Sequence, residues 1–172
     1  MEDLPQAREK RRQLLTSNPT HEHLVTRYGD LVYDFCHSTL RNTAHAHAAF
    51  RQIFREVQKT HVKNAYTAYE RAWVLRISSR RLLALLSQRE SKQAPAEQIE
   101  LDSNPNVAAR LKNFDFYFHR LESEDQVLLL FRDKYGLPFT EIATALGVPE
   151  DSLKIRRQQA LRRLEEWVWG GQ

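Results

Sequence analysis

Between Leu153 and Arg163 the sequence places Lys154, Arg156, Arg157, Arg162 and Arg163 with no acid among them, and Gln158 and Gln159 lie in between. These side chains suit nucleic acid. Arg forks bond guanine edges, Gln bonds adenine edges, and any cation holds phosphate. The same run also fits the solvated basic face of an ordinary helical hairpin, so composition alone leaves both readings open. Other chemistry finds little support. His21-Glu22-His23 and His45-Ala46-His47 put imidazoles two residues apart, whereas metal ligands on one helix face need a spacing of three or four. Cys36, the only cysteine, has Val32, Tyr33 and Phe35 beside it and reads as a small buried thiol rather than a nucleophile. The sequence contains no Gly-rich phosphate loop, no Ser-His-Asp order and no paired catalytic carboxylates, which predicts a non-enzyme needing no cofactor and no metal.

The basic run needs an element to present it, and the residues just before it supply one. Pro138 to Arg156 fits a helix-turn-helix: Ala143 is small where two helices cross, Gly147 permits the tight turn, and Ile142, Leu146, Val148 and Leu153 fill the wedge. The second helix is expected to start at Glu150 or Asp151, acids that suit the positive end of the helix dipole, and to run to about Val168. Trp167 and Trp169 read as a cap on the core of this body, with an exposed docking patch as the alternative.

Elsewhere apolar residues recur every three or four positions and strand signals are near absent, so the fold class is all-α. Leu24, Tyr28, Leu31, Val32 and Phe35 form a helical stripe ending near Leu40. Thr43 is expected to cap a helix through Ala46, Phe50, Ile53, Phe54 and Val57, and a third helix runs from about Tyr66 to Leu86. Residues 89–106 turn polar and read as a linker, so the chain divides into a basic arm (1–20), a helical domain (21–88), the linker, and a helix-turn-helix domain (107–172) opening near Val107. In that last domain a helix opens at Ser123 and stops at Tyr135-Gly136. The longest apolar runs, such as Val127 to Phe131, fall far short of the roughly 20 residues that span a bilayer, and an acidic start without an apolar stretch is unlike a secretory signal. The chain therefore reads as cytoplasmic, with no membrane partner. Its net charge of +4 signifies only where it is clustered.

The motifs together resemble a bacterial sigma factor of the extracytoplasmic-function type, the compact class with two conserved domains. From Phe118 to Leu164, through Val127-Leu128-Leu129-Leu130, Tyr135-Gly136-Leu137, Glu141-Ile142-Ala143, Leu146-Gly147-Val148 and Ser152-Leu153-Lys154-Ile155-Arg156, the chain is similar to the family's region 4. That likeness implies that the helix near Asp151 reads the −35 element of promoter DNA, with Ser152, Lys154, Arg156 and Gln158 as contacts. From Leu24 to Leu86 the chain resembles region 2, through Leu24-Val25-Thr26-Arg27-Tyr28, Leu31-Val32-Tyr33, Phe54 and Ala72-Trp73-Val74-Leu75-Arg76-Ile77. The resemblance implies binding to core RNA polymerase around His47, Arg51, Ile53 and Phe54, and to the −10 element through Arg76, Arg80 and Arg81. It also allows an anti-sigma protein as a further partner.

The sequence departs from the family pattern in three places. Where its second helix normally carries an acidic pair and a Gln facing the polymerase clamp, this chain has His47, Ala48 and Arg51, and Arg41, Arg51, Arg55, Lys59 and Lys63 outnumber Glu56 from 41 to 63. An acidic contact surface has become neutral to basic, and like charges oppose docking. Past Trp73, Arg80 and Ala84 replace the usual Asn and Asp, in a stretch where Arg71, Arg76, Arg80, Arg81 and Arg89 meet no acid. Phosphate binding tolerates that change. Tyr66 and Tyr69 read as core or as stacking platforms for a flipped base. Arg157 occupies a place usually apolar. Two functions therefore stand: a sigma-like initiation factor, or a sigma-derived protein that no longer binds core polymerase and instead engages a partner protein or regulates DNA alone.

Overall fold

The computed structural model describes residues 19–61, 70–90 and 107–169, and every described element is helical. The helices are α1 (Pro19–Leu40), α2 (Thr43–His61), α3 (Glu70–Glu90), α4 (Val107–Phe118), α5 (Ser123–Leu129), α6 (Phe139–Leu146) and α7 (Glu150–Trp169). The expected all-α class is what the chain adopts. The arm over residues 1–18, residues 91–106 of the polar stretch, and the loop with Tyr66 and Tyr69 lie outside the described residues. The chain separates into two compact units, Met1–Leu82 and Leu83–Gln172, a division falling inside α3.

In the first unit α1 and α2 form a hairpin. Leu24, Tyr28, Val32, Cys36 and Leu40 repeat every fourth residue, so one row of α1 is buried against Phe50, Ile53, Phe54 and Val57 of α2. The turn between them uses two residues. Arg41 adopts φ 51°, in the left-handed region, while its N–H donates to the His37 carbonyl at 2.9 Å. Asn42 then caps α2, its Oδ1 accepting the His45 N–H at 2.9 Å. The cap is therefore Asn42 and not Thr43, because the reversal at Arg41 leaves residue 42 outside the helix with its side chain over the first turn. Helix α3 is tied to α1 through Glu70, which accepts from Tyr28 Oη at 2.9 Å and from Arg27 Nη1 at 3.2 Å. It is tied to α2 through Arg81, whose Nε donates to Gln52 Oε1 at 2.9 Å. Cys36 is fully buried, and that burial pushes its thiol up to about 12, so it stays neutral and unreactive as expected.

In the second unit Leu121, Val127, Leu128, Phe131, Leu137 and Ile142 are buried, and α7 packs on α4, α5 and α6. Helix α5 ends in a π turn over Leu130–Lys134: the Tyr135 N–H reaches back five residues to the Leu130 carbonyl at 3.0 Å. Gly136 then takes φ 66° and the chain reverses, with Arg132 Nη1 donating to the Leu137 carbonyl at 2.9 Å. The loop before α5 is closed by Gln126, whose amide donates to the Leu121 carbonyl at 2.9 Å and to that of His119 at 3.3 Å.

Candidate nucleic-acid interface

Helices α6 and α7 meet at the expected turn. Gly147 sits at φ 70°, its N–H donates to the Ala143 carbonyl at 2.8 Å, and α7 begins three residues later. Ile142 and Leu153 fill the wedge as expected, while Leu146 and Val148 are half-buried. The small residue buried in α6 is Ala145, and Ala143 is half-buried and serves as the acceptor of the turn. Glu150 and Asp151 lie in the first turn of α7, where carboxylates stabilise the dipole.

The face that α7 turns inward is set by Leu153, Ala160 and Leu164, all buried. A helix advances about 100° per residue, so the opposite face carries Asp151, Ile155, Gln158 and Arg162, flanked by Ser152, Gln159 and Lys154; all seven are exposed. Ser152, Lys154 and Gln158 are therefore exposed on α7. Lys154 is held against Glu150 at 2.9 Å and Asp151 at 3.5 Å on its own helix, and the hydrogen bond to Glu150 raises its pKa. Ile155 was not among the expected contacts, yet at 57% exposure it puts an apolar side chain in the middle of this face, suited to a thymine methyl. The spacing of Leu153, Ala160 and Leu164 carried the signal for it.

Arg156 is a correction. Its guanidinium is directed back onto the protein, where Nε bonds Asp125, Nη1 bonds Glu124 at 2.5 Å and Nη2 bonds Glu122 at 3.2 Å. Partial burial by itself would lower its pKa, but the bonds to Asp125 and Glu124 outweigh it and the net shift is upward. Arg163 also lies 3.6 Å from Asp125. Arg157 grips Asp133 of the π turn with both Nε and Nη2; Nε lies 2.9 Å from Oδ2, and the hydrogen bonding raises its pKa. Three of the five cations read from the sequence thus meet carboxylates of the second unit's own body.

In the first unit the candidate sites also separate. Ile53 and Phe54 are fully buried and pack into the α1–α2 core, so neither side chain reaches a partner on the folded surface. His47 is half-buried and shares a hydrogen bond with the Tyr33 hydroxyl at 2.9 Å. Arg51 is exposed. On α3, Arg80 is exposed, Arg76 is half-buried, and Arg81 is bonded to Gln52. Trp167 and Trp169 are exposed rather than core, with the Trp167 ring 5.9 Å from that of Tyr117. Among the described residues no helix is long and apolar enough to cross a membrane. No protein-family model matches the chain, and a sequence search of curated proteins found no match.

Proposed function

We propose that this chain is a sigma-like transcription initiation factor of the cytoplasm. On this reading α7 lies in the major groove of promoter DNA at a −35-type element, and the first unit engages core RNA polymerase and the −10 region, with Arg76, Arg80 and Arg81 on phosphate. One observation carries the proposal: an exposed face of α7 with Ile155, Gln158 and Arg162 along its centre and Ser152, Gln159 and Lys154 at its edges, held by a glycine-turned helix pair. Those side chains can donate to and accept from base edges, touch a thymine methyl and hold phosphate. Catalysis stays with the polymerase. The test is a pull-down of purified core polymerase with the full chain, followed by run-off transcription from promoters selected for binding. Capture with transcription supports the reading.

A second reading is favoured by a specific observation. From Arg51 onward the exposed residues of α2 are Arg51, Gln52, Arg55, Glu56 and Lys59, while Ile53 and Phe54 face inward. A stand-alone DNA-binding regulator needs no acidic surface for the polymerase clamp. DNA binding without capture of polymerase selects it.

A further inference from the structure

We propose that the adjoining outer faces of α2 and α3 form a second nucleic-acid surface, one that grips phosphate backbone without reading bases. On α2, Arg51, Arg55 and Lys59 follow one another at four-residue steps, about 6 Å apart along the axis, and all three are exposed. The opposite side of the helix, with Phe50, Ile53 and Val57, is buried, which fixes the cationic row outward. Gln52 stands beside that row, and its bond from Arg81 Nε at 2.9 Å joins α2 to α3. Next to Arg81 is Arg80, exposed, and one turn before Arg80 comes Arg76. Glu56 is the one acid between Arg51 and Lys59, and none occurs from Arg71 to Arg81. None of Arg51, Arg55, Lys59 and Arg80 joins an ion pair among the described residues, in contrast to Arg156, Arg157 and Arg163 of α7.

Nucleic acid is favoured over a protein partner by what the described residues of the first unit lack. Protein interfaces concentrate their affinity in buried aromatic and aliphatic anchors, whereas a phosphate backbone is held by charge. Among the described residues the exposed large apolar side chains are Phe114, Ile155, Trp167 and Trp169, all in the second unit. The α2–α3 face therefore offers a partner cations, mostly planar Arg forks that match phosphate oxygens, with no large apolar anchor. This inference extends the phosphate role proposed above for Arg76, Arg80 and Arg81 to the Arg51, Arg55 and Lys59 row of α2, and that row's part in it stands whether or not α7 reads a promoter. It leaves core polymerase, where captured, to dock elsewhere on the first unit.

The experiment measures binding of the full chain to a short DNA duplex of random sequence across a salt series. Four proteins are compared: unsubstituted chain, R51Q/R55Q, R51K/R55K, and an α7 variant, K154A/Q158A. Each phosphate contact adds about 0.9 to the slope of log affinity against log salt, so R51Q/R55Q is expected to flatten that slope by about 1.8. R51K/R55K keeps the charge and is expected to retain the slope. Matching melting temperatures show that each variant folds. An unchanged slope in R51Q/R55Q overturns the proposal, as does equal flattening in R51K/R55K. Anionic lipid vesicles and a poly-glutamate peptide serve as competing polyanions; binding to either as tight as to DNA at the same salt overturns the assignment to nucleic acid. The α7 variant, with its residues in the other unit, reports on that unit's contact with DNA separately, and its base reading is tested on a selected duplex.

Discussion

Arg156 of α7 bonds through Nε to Asp125 of α5, a carboxylate only 5% exposed, and its other two nitrogens reach Glu124 and Glu122. The three acids cluster at the amino-terminal end of α5, where they also meet the positive end of its dipole. One side chain of α7 therefore sets how that helix lies on the body beneath it.

Removing that clamp is expected to cost stability first. Arg156→Ala leaves Asp125 buried with only Arg163 nearby at 3.6 Å. Charge-assisted hydrogen bonds contribute about 1.5–3 kcal/mol each; with Arg156 itself a third exposed, a loss of about 2 kcal/mol is expected, read from denaturant midpoints. Asp125→Asn should show a smaller loss, since the amide oxygen still accepts from Nε. If Arg156→Ala melts with the unsubstituted protein while DNA binding falls, the guanidinium works at the DNA instead.

The outward face of α7 predicts the opposite pattern. Gln158→Ala and Ile155→Ala change exposed side chains and should leave the melting temperature where it was. Each should weaken binding to a selected duplex by about 1–3 kcal/mol where it meets a base, and relax preference at that base pair alone. Lys154→Ala should weaken selected and random duplexes alike, with a shallower salt dependence. Competition titrations with single-base variants of the selected site would separate these outcomes.

Much of this arrangement is legible in residue spacing, and the exceptions have definite causes. The rows Leu24–Leu40 and Ala46–Val57 repeat at helical intervals because each buries one side, and Gly136 and Gly147 stand where the chain needs positive φ. The inward turn of Arg156 is not legible from its neighbourhood, because its partners lie more than thirty residues upstream and only the packing of α7 on α5 joins them. Ile53 and Phe54 followed the expected core stripe of α2, and that same stripe takes them off any contact surface. The π turn at Leu130–Lys134 has no spacing signature, yet it places Asp133 where it can hold the half-buried Arg157. The choice of Asn42 over Thr43 as cap depends on the conformation of Arg41, and both residues cap well in isolation.

That turn gives a paired prediction. Asn42→Ala removes the acceptor for the His45 N–H and is expected to destabilise the first unit by about 1 kcal/mol. Arg41→Gly, at φ 51°, relieves a left-handed conformation that costs an L-residue about 1–2 kcal/mol, although glycine's looser unfolded chain offsets part of that gain. Gly147→Ala imposes the same kind of strain at φ 70° and is expected to destabilise by about 1 kcal/mol. Chemical denaturation of the three variants should therefore give one gain and two losses; a loss at Arg41→Gly would contradict the assigned turn.

Alkaline pH tests the burial of the first unit. Burial, then the hydrogen bond to Glu70, pushes Tyr28 from its ordinary 10.0 up to about 12, and burial pushes Cys36 from 9.0 up to about 12. In both cases the folded state holds its proton more tightly than the unfolded chain, so the unfolded chain binds fewer protons over that interval and stability falls as pH rises. The stabilising contribution is intact below pH 9 and is lost progressively up to about pH 12, with Cys36 acting from the lower limit and Tyr28 from about pH 10. Tyr28→Phe should remove the later part of the decline and Cys36→Ala the earlier part, each measured as unfolding free energy against pH. Native protein near neutral pH should also resist thiol alkylation until denaturant is added. Rapid alkylation of the folded chain, or a decline identical in all three proteins, would show that these two groups are not enclosed by the α1–α2–α3 core.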